Sequence, residues 1–114
     1  IPKAWIKAYN EVLGTSWDWQ PRFVIDGVQY VHGEGGTART RVKNDMISCV
    51  QGHIHTQCYV EHMCGQDKNI FAMQVGCGID RESYSQAYAR NYKKTAIACG
   101  VVIGGHTAIN VMMD

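Results

Sequence analysis

The sequence predicts a single α/β domain spanning residues 1–114, and three observations predict it. The chain has 114 residues, of which 46% are hydrophobic, and this is enough to bury one core. Short apolar runs, some alternating with polar residues, are separated by glycine-containing turns, as is typical of strands. Segments with helical spacing precede and interrupt these runs. We therefore expect a unit rich in antiparallel strand pairing, with two or three helices.

The amino-terminal segment is predicted to form a helix followed by an aromatic loop. Pro2 suits the first helical turn, because its missing N–H would be unpaired there in any case. Apolar residues continue at helical spacing as far as Leu13, and Gly14 ends the helix. In the loop that follows, we expect Trp17 and Trp19 to seal the core.

A β-hairpin and a short helix come next. Two apolar runs, Phe23–Ile25 and Val28–Val31, flank Asp26-Gly27, a dipeptide that favours a two-residue hairpin turn. Thr37 is a suitable N-cap for a helix over residues 37–44, because its hydroxyl can accept from an unpaired backbone N–H.

The second half of the chain supplies further strands. The predicted strands cover residues 46–51, 57–63 and 69–75. A helix is predicted from Asp80, with tyrosines at every fourth position that form one stripe: Tyr84, Tyr88 and Tyr92. A second hairpin, over residues 95–103 and 107–113, closes the chain.

Charge and cysteine usage narrow the classes of protein. The formal net charge is +1 and the basic residues are dispersed, so a continuous nucleic-acid-binding surface is not indicated. Glycines interrupt the most apolar stretch, near residues 95–113, so no membrane span is expected. Five cysteines without a C-x-x-C pair, and no signal peptide, favour a soluble protein in a cytoplasmic, reducing compartment.

Three histidines at predicted strand ends are the strongest functional signal. His32 follows one apolar run, and His53 and His55 follow another in the segment Gly52-His53-Ile54-His55. Neutral imidazole nitrogens bind Zn, Mn, Fe and Ni, and an adjacent glycine lets the backbone turn sharply near a ligand. The sequence therefore predicts a metal site formed by these three side chains.

The same residues carry a family resemblance. The segment Val31-His32-Gly33, followed by Val50-Gln51-Gly52-His53-Ile54-His55, resembles the last two motifs of the calcineurin-like metallophosphoesterases. The resemblance begins at about residue 23 and extends to the end of the chain. It implies the C-terminal half of an αββα sandwich.

The resemblance also implies a cofactor and a reaction. Two divalent metal ions (Mn, Fe, Zn or Ni) are expected, with His32 and His53 binding one and His55 the other. The implied reaction is hydrolysis of a phosphomonoester or phosphodiester by in-line attack on phosphorus. Arg39 and Arg41 are candidate contacts for the phosphate-ester substrate.

The chain departs from the family by lacking its earlier motifs, an Asp-x-His, a Gly-Asp-x-x-Asp and a Gly-Asn-His-Asp/Glu. Three imidazoles without carboxylates cannot neutralise two closely spaced dications. We therefore expect the chain to need completion by an N-terminal segment or a second chain. The opening Ile1-Pro2, which enters a helical pattern directly, also suggests part of a longer protein.

Other interpretations stay open at the level of sequence. A non-catalytic assembly protein, for instance in a phage virion, could reuse the fold as a homo-oligomer through Trp5, Trp17, Trp19 and the tyrosine stripe. A cupin-like mononuclear site could combine the His-x-His segment with Glu61, His106 and Asn110. A cysteine nucleophile could come from Cys49, Cys58 or Cys77.

Overall fold

The computed structural model describes residues 2–80 and 95–113. The predicted tyrosine stripe, Tyr84, Tyr88 and Tyr92, lies outside the described residues. The elements in chain order are α1 (Lys3–Leu13), β1 (Arg22–Ile25), β2 (Val28–Val31), α2 (Ala38–Asp45), β3 (Ser48–Gln51), β4 (Cys58–Cys64), β5 (Asn69–Val75), β6 (Ala98–Ile103) and β7 (Thr107–Met112). The chain is thus mixed α/β, and the predicted elements within the described ranges are confirmed to within a few residues at their ends.

The main sheet has five strands in the order β1-β2-β3-β5-β4. Its two outer pairs, β1 with β2 and β4 with β5, are antiparallel, whereas β3 pairs in parallel with both β2 and β5. Antiparallel pairing therefore dominates the edges, and the centre is parallel. The carboxyl ends of β2, β3 and β5 consequently meet at one edge of the sheet, which is where open α/β sheets form their sites.

Two layers cover opposite faces of this sheet. On one face α2 packs over a buried cluster of small apolar residues: Ala38, Val42, Cys49 and Ala72. On the other face the β6–β7 hairpin contacts β4 and β5, and Val102 and Ala108 pack against Val28, Phe71 and Met73. Alternation along β5 explains this division, because Ala72 and its two neighbours point to opposite faces.

The hairpin turns are those that the turn residues favour. Asp26 and Gly27 have positive φ values of 52° and 75°, as a two-residue hairpin turn with a primed geometry requires. Thr37 caps α2, its hydroxyl accepting from the Thr40 backbone N–H. Gly14 ends α1 in a left-handed conformation.

The prediction that the tryptophans seal the core was wrong. Helix α1 has no buried residue, and Trp17 is 59% exposed. Trp19 instead packs against Tyr9 at a ring-centroid distance of 5.7 Å, and its indole N–H donates to Asn10. The aromatic loop therefore folds back onto α1.

Over residues 2–80 and 95–113, no helix has the length and apolar character needed to traverse a lipid bilayer.

Candidate functional site

The predicted histidine site begins with two turns at the ends of adjacent parallel strands. In the register of β2 and β3, Val31 lies opposite Gln51, and the Gly52 N–H donates to the Val31 carbonyl at 3.4 Å. His32 directly follows Val31, and His53 follows Gln51 by two residues, after Gly52. Parallel pairing therefore brings together two segments that are 21 residues apart.

The two imidazoles face each other. The Nε2 atom of His32 lies 3.1 Å from the Nδ1 atom of His53, and the rings meet edge to face with centroids 5.0 Å apart. Both side chains are exposed to solvent. Two nitrogens that bind one tetrahedral ion at about 2.05 Å are separated by about 3.3 Å. The two nitrogens are thus within hydrogen-bond distance, and their separation is close to that of two ligands of one tetrahedral ion.

His53 occupies a strained turn. Its φ is 70°, and the Ile54 N–H donates to the Gly52 carbonyl at 2.8 Å across it. A three-residue turn with this hydrogen bond and a positive central φ is a classic γ-turn, which is rare. A branched or ring-bearing residue in left-handed conformation costs about 1–3 kcal/mol. Such strain clusters at functional sites, and here it directs the imidazole toward His32.

His55 lies in the same loop as His53, two residues further along the chain. Its side chain is half-buried, and its backbone carbonyl accepts from the Ala96 N–H at 2.7 Å. Within residues 2–80 and 95–113, no three His, Cys, Asp or Glu side chains are grouped so as to hold a metal ion. The resemblance places His55 on a second ion, and the whole metal site of His32, His53 and His55 stays a prediction.

The two candidate arginines of α2 face different surroundings. Arg39 forms an ion pair with Glu61 and lies over the Tyr59 ring, both on the edge strand β4. Arg41 lines a groove of about 800 Å³ together with His32 and Gly33. The Nε atom of Arg41 is buried and makes no hydrogen bond among the described residues. Of the two, Arg41 is the one that lines the same groove as His32.

The groove beside His32 also has an apolar wall. It is formed by side chains on the sheet face against which the β6–β7 hairpin also packs: Phe23, Tyr30, Val50 and Val75. Burial, with a smaller contribution from the Asp26 carboxylate, raises the pKa of the Tyr30 phenol, so it stays neutral. Arg22, Arg41 and Glu34 supply charge at the rim. Two cations against one anion favour an anionic ligand.

The three further residues of the cupin-like interpretation contact other partners and not His53. Glu61 pairs with Arg39. His106 lies in the turn between β6 and β7, and its Nδ1 is 2.7 Å from the Thr107 hydroxyl. Asn110 donates to the Gln74 carbonyl at 3.2 Å. These contacts give no support to a shared ligand set with His53.

The thiol of Cys49 has the opposite properties from those of a nucleophile. Its side chain is fully buried beneath α2, and burial, opposed in part by Arg41, raises its pKa to about 11. Activated cysteines have lowered pKa values and are partly exposed. Burial also raises the pKa of Cys58.

Alkylation can test the environment of Cys49. At pH 8 about one thiol in a thousand would be ionised at a pKa of about 11. We expect iodoacetamide to label the exposed Cys64 and Cys99 in the native protein and to leave Cys49 unlabelled, whereas all are labelled in urea. Peptide mass spectrometry measures this. Native-state labelling of Cys49 at the rate of Cys64 would contradict the buried environment.

Sequence reasoning missed two buried glutamines that support the site. Gln51 and Gln74 are adjacent in the β3–β5 register and are 1% and 0% exposed. Gln74 donates to the Gly52 carbonyl in the turn of His53, and Gln51 donates to the Gly36 carbonyl in the loop that follows His32. The sequence feature that could have indicated them is a glutamine near the end of an apolar strand, one or two residues before a glycine.

No family model, curated protein or solved structure matches this chain.

Proposed function

We propose that this domain is the histidine-bearing part of a metal-dependent phosphoesterase that hydrolyses a phosphomonoester or phosphodiester. The observation that carries the proposal is the facing of His32 Nε2 and His53 Nδ1 at 3.1 Å, at the carboxyl ends of neighbouring parallel strands. The separation suits two ligands of one ion, and the donor type suits Mn, Fe, Zn or Ni. The motif resemblance supplies the reaction class.

The proposed roles of the side chains follow from the resemblance and, for His32, His53 and Arg41, also from their positions. His32 and His53 would hold one divalent ion, and His55 would serve a second. When bound, such ions supply Lewis-acid polarisation of a phosphoryl oxygen. Arg41, whose Nε has no partner in the described part of the chain, would bind a phosphate oxygen in the adjoining groove. Arg39 is already neutralised by Glu61, so its contribution would be small.

The resemblance requires more carboxylate ligands than the lining of the described groove supplies. Glu34 is an acidic residue in the lining of the groove, and the resemblance requires several aspartates. We propose that an N-terminal segment or a second chain supplies them, and that it covers the apolar wall formed by Phe23, Tyr30, Val50 and Val75. Covering this wall would remove water from the site and strengthen its electrostatics.

Metal binding and turnover test the proposal separately. We expect Co²⁺ titration to show one binding event that His32→Ala or His53→Ala weakens by at least about a hundredfold, because removal of a ligand exceeds the 10–100-fold cost of removing a supporting group. His62→Ala is the matched control, since His62 is an exposed histidine on β4. Turnover of bis-(p-nitrophenyl) phosphate with Mn²⁺ should appear when the aspartate-bearing segment is added.

An assembly role is the second candidate function. The observation that favours it is the exposure of large apolar side chains on and after α1, with Val12 85% exposed and Trp5 and Trp17 each 59% exposed. Burying such groups is a common driving force for homo-oligomerisation. A wild-type protein that binds no Co²⁺ and forms a stable oligomer, measured by light scattering after size-exclusion chromatography, would favour assembly over hydrolysis.

A further inference from the structure

We infer that two buried glutamines, Gln74 and Gln51, are positioning residues that hold His53 and His32 at their 3.1 Å separation. The inference rests on the proposed function only for its metal readout. Neither side chain touches the imidazoles in the contacts described, so their effect would pass through the backbone of the two turns.

Gln74 holds the turn of His53. Its Nε2 donates to the Gly52 carbonyl at 2.5 Å, and this carbonyl also accepts from the Ile54 N–H to close the γ-turn. The carbonyl belongs to the peptide that joins Gly52 to His53, so its orientation is coupled to the His53 φ of 70°. Because the Gln74 amide is fully buried, losing this bond would leave polar groups unpaired.

The other end of the Gln74 side chain is also bonded. Its Oε1 accepts from the Ala38 N–H at 3.1 Å, at the first residue of α2. One amide therefore ties the start of α2 to the turn after β3. Hydrogen bonds at both ends hold this buried amide in one rotamer, so it can support a strained turn.

Gln51 supports the loop that follows His32. Its Nε2 donates to the Gly36 carbonyl at 2.9 Å, and its side chain lies directly against Gly33. A Cβ atom at Gly33 would be 2.7 Å from the Gln51 Cδ, and Gly33 has a φ of 95°. The close approach fixes the path of the backbone immediately after His32.

A third buried glutamine provides the matched control. Gln29 is 0% exposed and lies on the same face of the sheet as Gln51 and Gln74. It belongs to β2, the strand next to the β3 strand of Gln51. Its amide accepts from Arg22 Nε and donates to Asp45, each at 3.0 Å, and thus contacts neither histidine turn. Substituting it removes a similar buried, hydrogen-bonded amide that has no hydrogen bond to the Gly52 or Gly36 carbonyl.

The experiment compares Gln74→Met, Gln51→Met and Gln29→Met in the full chain. Imidazole ¹⁵N shifts, measured without metal, report the contact between His32 and His53, and Co²⁺ titration reports the affinity. We expect Gln74→Met to change both imidazole spectra and to weaken Co²⁺ binding by about 10–100-fold, as loss of a supporting group does. Gln29→Met should keep wild-type spectra and an affinity within about twofold of wild type.

The outcomes separate the two proposals. Wild-type imidazole spectra in a folded Gln74→Met variant, or an equal change in Gln29→Met, would overturn the positioning role. If Gln74→Met does not fold, Gln51→Met decides by the same two measurements. If the wild-type chain binds no Co²⁺, the proposed metal site fails. The metal-free imidazole spectra alone then decide whether the glutamines position the histidines.

Discussion

Replacing His53 with glycine is expected to weaken Co²⁺ binding by at least about a hundredfold while leaving the free energy of unfolding unchanged or higher by up to about 1 kcal/mol. The loss of affinity follows from removing one of two facing nitrogens. The gain in stability follows from the φ of 70°, which glycine adopts without the steric cost that a histidine bears. Urea unfolding and Co²⁺ titration of the same preparation measure both effects.

Two further variants isolate the causes. His53→Ala removes the imidazole but keeps a Cβ in the left-handed conformation, so it should lose affinity equally and be less stable than His53→Gly. Met46 is an exposed residue at a φ of 57°, at the end of α2. Met46→Gly should therefore gain stability without a change in affinity. A loss of more than about 2 kcal/mol in His53→Gly would instead show that His53 is a structural residue.

Substituting Gly76 with alanine is expected to destabilise the domain by about 3 kcal/mol or more, because two costs combine. Gly76 has a φ of 69°, and a Cβ there would lie 2.4 Å from the Ala96 carbonyl oxygen. The obstacle is backbone, and the Cys77 N–H donates to that same carbonyl at 2.9 Å. Relief of the clash therefore requires the two segments to separate. Thermal or urea unfolding measures the loss.

The consequences of this substitution should reach the histidine loop. The Ala96 N–H donates to the His55 carbonyl, so displacing Ala96 weakens the backbone support of His55. Gly78→Ala is a control without either cost, since no atom lies within 4 Å of its added Cβ and its φ is not positive. Gly14→Ala has a φ of 66° and open space, and it measures the conformational cost alone. Equal stability of all three variants would contradict the close crossing at Gly76.

Local chemistry was sufficient to predict most of the secondary structure. The Asp26-Gly27 turn, the Thr37 cap and the end of α1 at Gly14 depend on residues close together in the chain, and all three are confirmed. The environment of the tryptophans was not predictable in this way. Trp19 packs on Tyr9 rather than on the sheet, because the loop after α1 returns to its own helix.

The candidate site was likewise predictable from the sequence only in part. The sequence placed His32 and His53 after apolar runs, next to glycines, and predicted that they meet. It could not show the 3.1 Å separation, the γ-turn at His53, or the divergence of Arg39 toward Glu61. Each of these depends on which strands are neighbours and which face α2 covers.

By itself, then, the sequence determined where strands and helices begin and end and which imidazoles follow strand ends, because hydrophobic period and turn chemistry act over a few residues. Only the tertiary structure decided that β2, β3 and β5 run in parallel side by side. That arrangement brings Gln51 and Gln74 into a buried amide pair beneath the histidine turns. Strand order is a non-local property, set by the packing of whole layers rather than by any short segment.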